Sequence, residues 1–125
     1  MMSLPADSLI GHKVTCVAAV IDGDGDVVGL QLNLVGGGSY MLADWTDWSL
    51  RVERRSDQKL PDYFWPPADH SLRVLEEHSQ GVEIASVESK RDEVGETVGV
   101  VIGMTAFGDY AASAHADGFI LEKVG

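Results

Sequence analysis

The chain is poor in several things at once, and each shortage excludes a class of protein. It has a single cysteine, Cys16, so no internal disulfide can form and an oxidising compartment gains no support. Cys16 stands in an apolar run, where the expectation is a buried, inert thiol. Basic residues are scarce, with nine Lys and Arg against twenty Asp and Glu and a formal net charge of −11. Phosphate recognition needs a basic surface that releases counterions, so this balance speaks against nucleic acid, and equally against anionic membranes. No stretch reaches the roughly 20 apolar residues of a membrane-spanning helix. The opening residues Met-Met-Ser-Leu-Pro-Ala-Asp carry neither the basic region nor the apolar stretch of a signal peptide, and the expectation is a cytoplasmic protein.

What the chain has is an internal repeat. Residues 11–53 align with residues 81–123 without a gap, at an offset of 70, with nine identities in forty-three positions. The identities include Gly11 with Gly81, Asp22 with Asp92, Gly25 with Gly95, Gly29 with Gly99 and Tyr40 with Tyr110. Glycines match where turns are expected and aliphatic residues match in alternation, which is the mark of a shared backbone plan. Each copy reads as short antiparallel strands. Val28, Leu30, Leu32 and Leu34 alternate inward, as do Val98, Val100, Ile102 and Met104, with the residues between them expected in solvent. Preceding strands, Val14 to Ile21 and Ile84 to Arg91, join them through turns in which Gly25 and Gly95 supply a positive φ.

A third strand begins near Tyr40 and Tyr110. The fourth, Trp48 to Glu53, places Trp48, Leu50 and Val52 inward and Ser49, Arg51 and Glu53 outward. In the second copy Phe119 and Leu121 point to a slip of one residue, which reverses the faces of a strand.

Between the copies, residues 54–80 form a connecting loop of different character. Prolines 61, 66 and 67 bracket Tyr63, Phe64 and Trp65, forbidding a helix or central strand and predicting a rigid extended segment. Ser71 to Gln80 reads as a short helix ending at Gly81, although Ser71-Leu72-Arg73-Val74 repeats the strand tetrapeptide Ser49-Leu50-Arg51-Val52. The fold expected is therefore one mainly β domain over 1–125. It contains two similar three- or four-stranded antiparallel units, forming a pseudo-twofold sandwich or a barrel-like sheet with at most one short helix.

Motifs of chemistry are thin. Asp22, Asp24 and Asp26 resemble the first half of a calcium loop, but Val27 and Asn33 stand where that loop needs glycine and a bidentate glutamate. The four histidines show no metal-ligand spacing, and no nucleophile elbow, phosphate loop or Cys-x-x-Cys occurs. The expectation is no catalytic, cofactor or metal residue. The sharpest difference between the copies is Asp44-Trp45-Thr46-Asp47-Trp48 against Ala114-His115-Ala116-Asp117-Gly118. Side chains present in one copy only are not demanded by the shared plan. Asp44 and Trp45, with the neighbouring Asp47 that both copies share, and joined by Tyr63, Phe64 and Trp65, form the candidate partner-binding set, with capping of an open sheet end as the other role for the loop aromatics. Together these features point to a small acidic, non-enzymatic module that binds a basic protein, in concrete form an immunity or antitoxin-type inhibitor of a bacterial toxin. The alternatives are a ligand-binding or catalytic β-barrel with a pocket between the repeats near Asp44, Asp47 and His115, or a homodimeric structural module.

Overall fold

The computed structural model describes residues 4–45, 48–115 and 118–124. A short 3-10 turn, Ala6–Leu9, is followed by eight strands: β1 (Lys13–Ile21), β2 (Val27–Leu34), β3 (Ser39–Asp44), β4 (Leu50–Arg55), β5 (Ser71–Arg91), β6 (Thr97–Met104), β7 (Gly108–His115) and β8 (Gly118–Lys123). A second 3-10 turn, Pro67–Asp69, lies between β4 and β5. All strands belong to one antiparallel sheet in the order β4-β3-β2-β1-β5-β6-β7-β8. The sheet does not close, and β4 and β8 remain its edges, so the barrel-like alternative gives way to an open sheet. No helix among the described residues is long and apolar enough to cross a membrane.

Pairing registers follow the same plan in both halves. Val14 faces Leu34 and Ile84 faces Met104; Val17 faces Leu32 and Val87 faces Ile102; Leu32 faces Tyr40 and Ile102 faces Tyr110. Irregularities fall at matching places, between Val14 and Cys16 and between Ile84 and Ser86. The two turns are fastened alike. Asp22 Oδ1 accepts the N–H groups of Asp24 and Asp26, and Asp92 Oδ1 those of Val94 and Glu96. Gly25 and Gly95 have φ of 86° and 84°, the left-handed region that an L side chain resists.

The fourth strands depart from this offset by one residue. Leu42 pairs with Val52, but Ala112 pairs with Leu121. The slip turns Phe119 into the core and leaves Ile120 outside.

The halves curl face to face, β2 against β8, β3 against β7 and β4 against β6. Between them lies one core that includes Leu30, Leu32, Leu42, Leu50, Val52, Ile84, Ile102 and Tyr110, with Leu9 and Ala6 of the N-terminal turn added. Burial of this apolar surface is the main stabilising term.

Two expectations fail here. Ser71 to Gln80 is not a helix but the first part of β5, and the connecting segment shrinks to 56–70. The reason is tertiary. β1 would otherwise leave the backbone groups of residues 16–21 unpaired on one side, and pairing Cys16 with Glu77, Ala19 with Arg73 and Ile21 with Ser71 satisfies them. Propensity in a ten-residue segment with two helical contacts is too weak to oppose that. Second, outward positions of β2 and β3 are not solvated. Gln31 and Met41 are almost wholly buried, because the 56–70 segment folds across the outer face of the first half.

That cover is held by specific bonds. Gln31 Nε2 donates to the carbonyls of Gln58 and Lys59 at 3.2 and 3.4 Å, Ser39 Oγ to Asp57 O at 2.7 Å, and Gln58 Nε2 to Leu34 O and Gly38 O. Phe64 is the apolar anchor and forms a second cluster with Val20, Met41 and Ala43, flanked by Val28, Leu60 and Tyr63. Gly29 makes room for it: a Cβ there would stand 3.0 Å from Phe64 Cζ.

Candidate functional site

Where the covering segment meets the end of β3, the surface sinks into a depression of about 560 Å³. Its floor is Val28 and Ala43 on the outer face of the first half. Asp44 and Trp45 leave β3 at its rim, Arg51 rises from β4 opposite Ala43, and Tyr63, Phe64, Trp65 and His70 come from the covering segment. Trp48, His115 and Gly118 complete the wall, the last two from the second half.

Five of the six residues expected to bind a partner thus surround one concavity: Asp44, Trp45, Tyr63, Phe64 and Trp65. Asp47 lies outside the described residues. Their exposures differ. Phe64 is buried and serves as the loop's anchor. Tyr63 is partly buried, donates its hydroxyl to Glu53 Oε1 at 2.9 Å, and meets Phe64 at a tilt of 44° with ring centroids 5.0 Å apart. Burial first, and then the Glu53 carboxylate, push the Tyr63 phenol above its ordinary range, so it stays protonated. Trp65 stands 74% exposed. Trp45 is 37% exposed, and the Arg51 guanidinium covers one ring face at 3.8 Å from the centroid, a cation–π contact.

Trp48 corrects the expected strand. β4 begins only at Leu50, and Trp48 has a φ of 64° and is 60% exposed, while Leu50 and Val52 are buried as alternation predicts. The left-handed residue breaks the alternation, so the Leu50 and Val52 periodicity does not extend back to it.

Arg51 and His70 were missed as members of the site, whereas His115 was expected only in the alternative of a pocket between the repeats. Arg51 was legible as an outward residue of β4, and its Nε and Nη1 find no hydrogen-bond partner among the described residues. His70 carried no signal, since its approach depends on how the 56–70 segment folds across the sheet. His70 Nδ1–H donates to Pro66 O at 2.9 Å, and His115 Nε2 lies 3.1 Å from Ser113 Oγ.

Away from this site, the carboxylates of Asp22, Asp24 and Asp26 converge within 4.8 Å. The same turn forms around Asp92 with Val94 in the middle, so its geometry is explained by the hydrogen bonds to one aspartate. Cys16 is partly exposed and not buried as expected. Burial, and then Glu77, raise its thiol above the ordinary value, which keeps it protonated and weakly nucleophilic at neutral pH.

The chain matches no protein-family model, no curated protein and no solved structure at a significant level.

Proposed function

We propose that this chain is a small, non-enzymatic protein-binding module that seats a basic protein partner on the aromatic depression. Its concrete form is an immunity or antitoxin-type inhibitor of a bacterial toxin, acting in the cytoplasm. The observation that carries the reading is the gathering of all three tryptophans around one depression, with exposures of 37, 60 and 74%, on a chain of net charge −11. Tryptophan is enriched at binding hot spots, and an isolated monomer gains nothing from leaving such rings in water. Asp44 at the rim and the acidic balance suit a basic partner by steering its approach.

A second reading has one observation in its favour. Asp44 and His115 come from different halves and border the same depression, as a ligand-binding or catalytic pocket between the repeats would require. Against it stands the exposure of Trp48 and Trp65, because small-molecule sites enclose most of their ligand. In the same proposal the halves are copies of one unit about an approximate twofold axis. The supporting detail is the pair Lys13 with Glu83, two residues that are themselves 70 apart and face each other across β1 and β5.

The test is recovery of a partner from native cytosol with the tagged full chain, followed by affinity measurement for Trp65→Ala and Trp45→Ala. Truncating an anchor costs about 2 kcal/mol or more, roughly a 30-fold loss of affinity. Asp44→Asn should mainly slow association at low salt. Normal affinity in both tryptophan variants would remove the depression from the interface.

A further inference from the structure

The outer faces of the two halves share a plan and differ in what lies on them. In the first half Phe64 rests on Val20, Gly29, Met41 and Ala43. At the offset of 70 the corresponding residues are Lys90, Gly99, Ala111 and Ser113; Gly99 pairs with Lys90 and Ser113, and Ala111 with Val101, in the same register. All four line a groove of about 570 Å³ on the outer face of β5, β6 and β7, and among the described residues no segment corresponding to 56–70 lies across it. Ala111 in place of Met41 leaves this groove more room than the seat of Phe64. Trp48 and His115 line both this groove and the depression, so the two surfaces are continuous.

The geometry points to this groove as the docking site for an aromatic side chain on a basic, turn-forming segment of a partner protein, seated as Phe64 is seated on the other half. The inference rests on the protein-binding reading and extends it to a second contact. An aromatic ring is the occupant because the molecule itself shows what this arrangement of strands accepts: a ring over a glycine, flanked by neighbours on the adjoining strands. The Lys90 stem lies where Val20 flanks Phe64, able to pack on the ring and present its ammonium to the ring face. The segment is a proline-flanked turn because its template is one: Pro61 and Pro66 flank a turn in which Phe64 N–H donates to Pro61 O at 3.2 Å. Charge selects its sign. Residues 81–125 hold three Lys and Arg against eight Asp and Glu, with Glu88 and Asp92 on the groove itself. The same charge opposes a second copy of this chain as occupant.

The probe is the peptide acetyl-Lys-Tyr-Phe-Trp-Pro-Pro-Lys-amide, which copies residues 63–67 between lysines, titrated into the full isotope-labelled chain with amide chemical shifts recorded. The expected result is a saturable shift at Gly99, Val101, Ala111 and Ser113 with a dissociation constant below about 1 mM. Ala111→Phe, which fills the groove, should weaken binding at least about 10-fold. If that variant does not fold, Ser113→Phe supplies the same block. Ala111→Met, copying Met41, checks that the position tolerates a larger side chain. Shifts confined to Trp45, Trp65 and His70 overturn the groove and leave the depression as the partner site. Shifts at the groove that follow protein concentration without peptide overturn the partner in favour of a second copy. The absence of any saturable shift overturns the inference, while the depression is still judged by partner recovery.

Discussion

Gly29 and Gly99 occupy the same register position in the two halves, and the same substitution should have opposite effects at them. A Cβ added at Gly29 meets Phe64 Cζ at 3.0 Å, Leu42 O at 3.2 Å and Val20 Cγ2 at 3.2 Å; at Gly99 the nearest atoms are Ser113 Cβ at 3.4 Å and Ala112 O at 3.5 Å. Overpacking of the first kind costs about 1–3 kcal/mol, whereas replacing an unstrained glycine gains about 0.4–1 kcal/mol by restricting the unfolded chain. Gly29→Ala should therefore lose about 1–2 kcal/mol and Gly99→Ala should be neutral or slightly stabilising, a difference of about 2 kcal/mol. Urea unfolding reads this directly as a change in midpoint at constant slope. In the Phe64→Ala background the Gly29→Ala penalty should largely vanish, because the blocking ring is gone, and a double-mutant cycle isolates that coupling. Equal effects at the two glycines, or an unchanged penalty without Phe64, would refute the seating of Phe64 over Gly29 and with it the contrast between a covered and an open face.

Three further outcomes follow from charge. Glu76 Oε2 accepts from Lys123 Nζ and from the Tyr110 hydroxyl, each at 3.0 Å; the Lys123 bond first, and the tyrosine with it, hold this carboxyl below the ordinary carboxylate value. A depressed folded value means the contribution is present above the unfolded value and lost as pH falls through the folded one, so Glu76→Gln should flatten the acid limb of stability measured between pH 7 and 3. Burial and Glu76 also raise Tyr110 to about 12 from 10.0; its contribution is complete below the unfolded value and is lost as pH rises through about 12, and ultraviolet titration of Glu76→Gln should return the phenol toward its ordinary range. At the Asp22 turn, calorimetry should find calcium bound no better than about millimolar, unaltered in kind by Asp24→Ala, and micromolar affinity lost in that variant would contradict the turn's explanation by hydrogen bonds.

How much of this was legible depends on what periodicity can see. Alternation identified Leu30, Leu32 and Leu34 of β2, Leu50 and Val52 of β4, and Val100, Ile102 and Met104 of β6 as core-facing, but not Val28 and Val98, which register shifts carry to the outer face; the paired glycines located the turns with positive φ, a local consequence of backbone geometry. Even the one-residue slip of β8 was visible, because Phe119 and Leu121 can share the core face only if the strand shifts. The strand at 71–77 was signalled only by the tetrapeptide it shares with 49–52, which the helix pattern outweighed, since its hydrogen bonds answer the needs of β1, far away in the chain. The left-handed Trp48 was not visible, since its sequence neighbours continue a plausible strand.

The covered outer face, by contrast, had left a trace. Outward positions of the first half are Val20, Gln31, Met41 and Ala43, and their counterparts are Lys90, Val101, Ala111 and Ser113. A solvated face has no use for a valine, a methionine and an alanine in adjoining rows, so their outward side chains already called for a cover, and 60–65 was an apolar segment outside the strands able to supply it. The second half replaces valine by lysine and methionine by alanine, which makes its face tolerable in water, yet retains Gly99, Val101 and Ala111 in a row. The same strand plan therefore carries two solutions, one face sealed by the chain's own aromatic segment and one balanced between exposure and occupation. If the second face were simply a solvated surface, converting Val101 and Ala111 together to threonine should leave both stability and partner affinity untouched. A loss of affinity with stability retained is the outcome expected of a face kept open for a partner, and unchanged affinity would reduce it to surface.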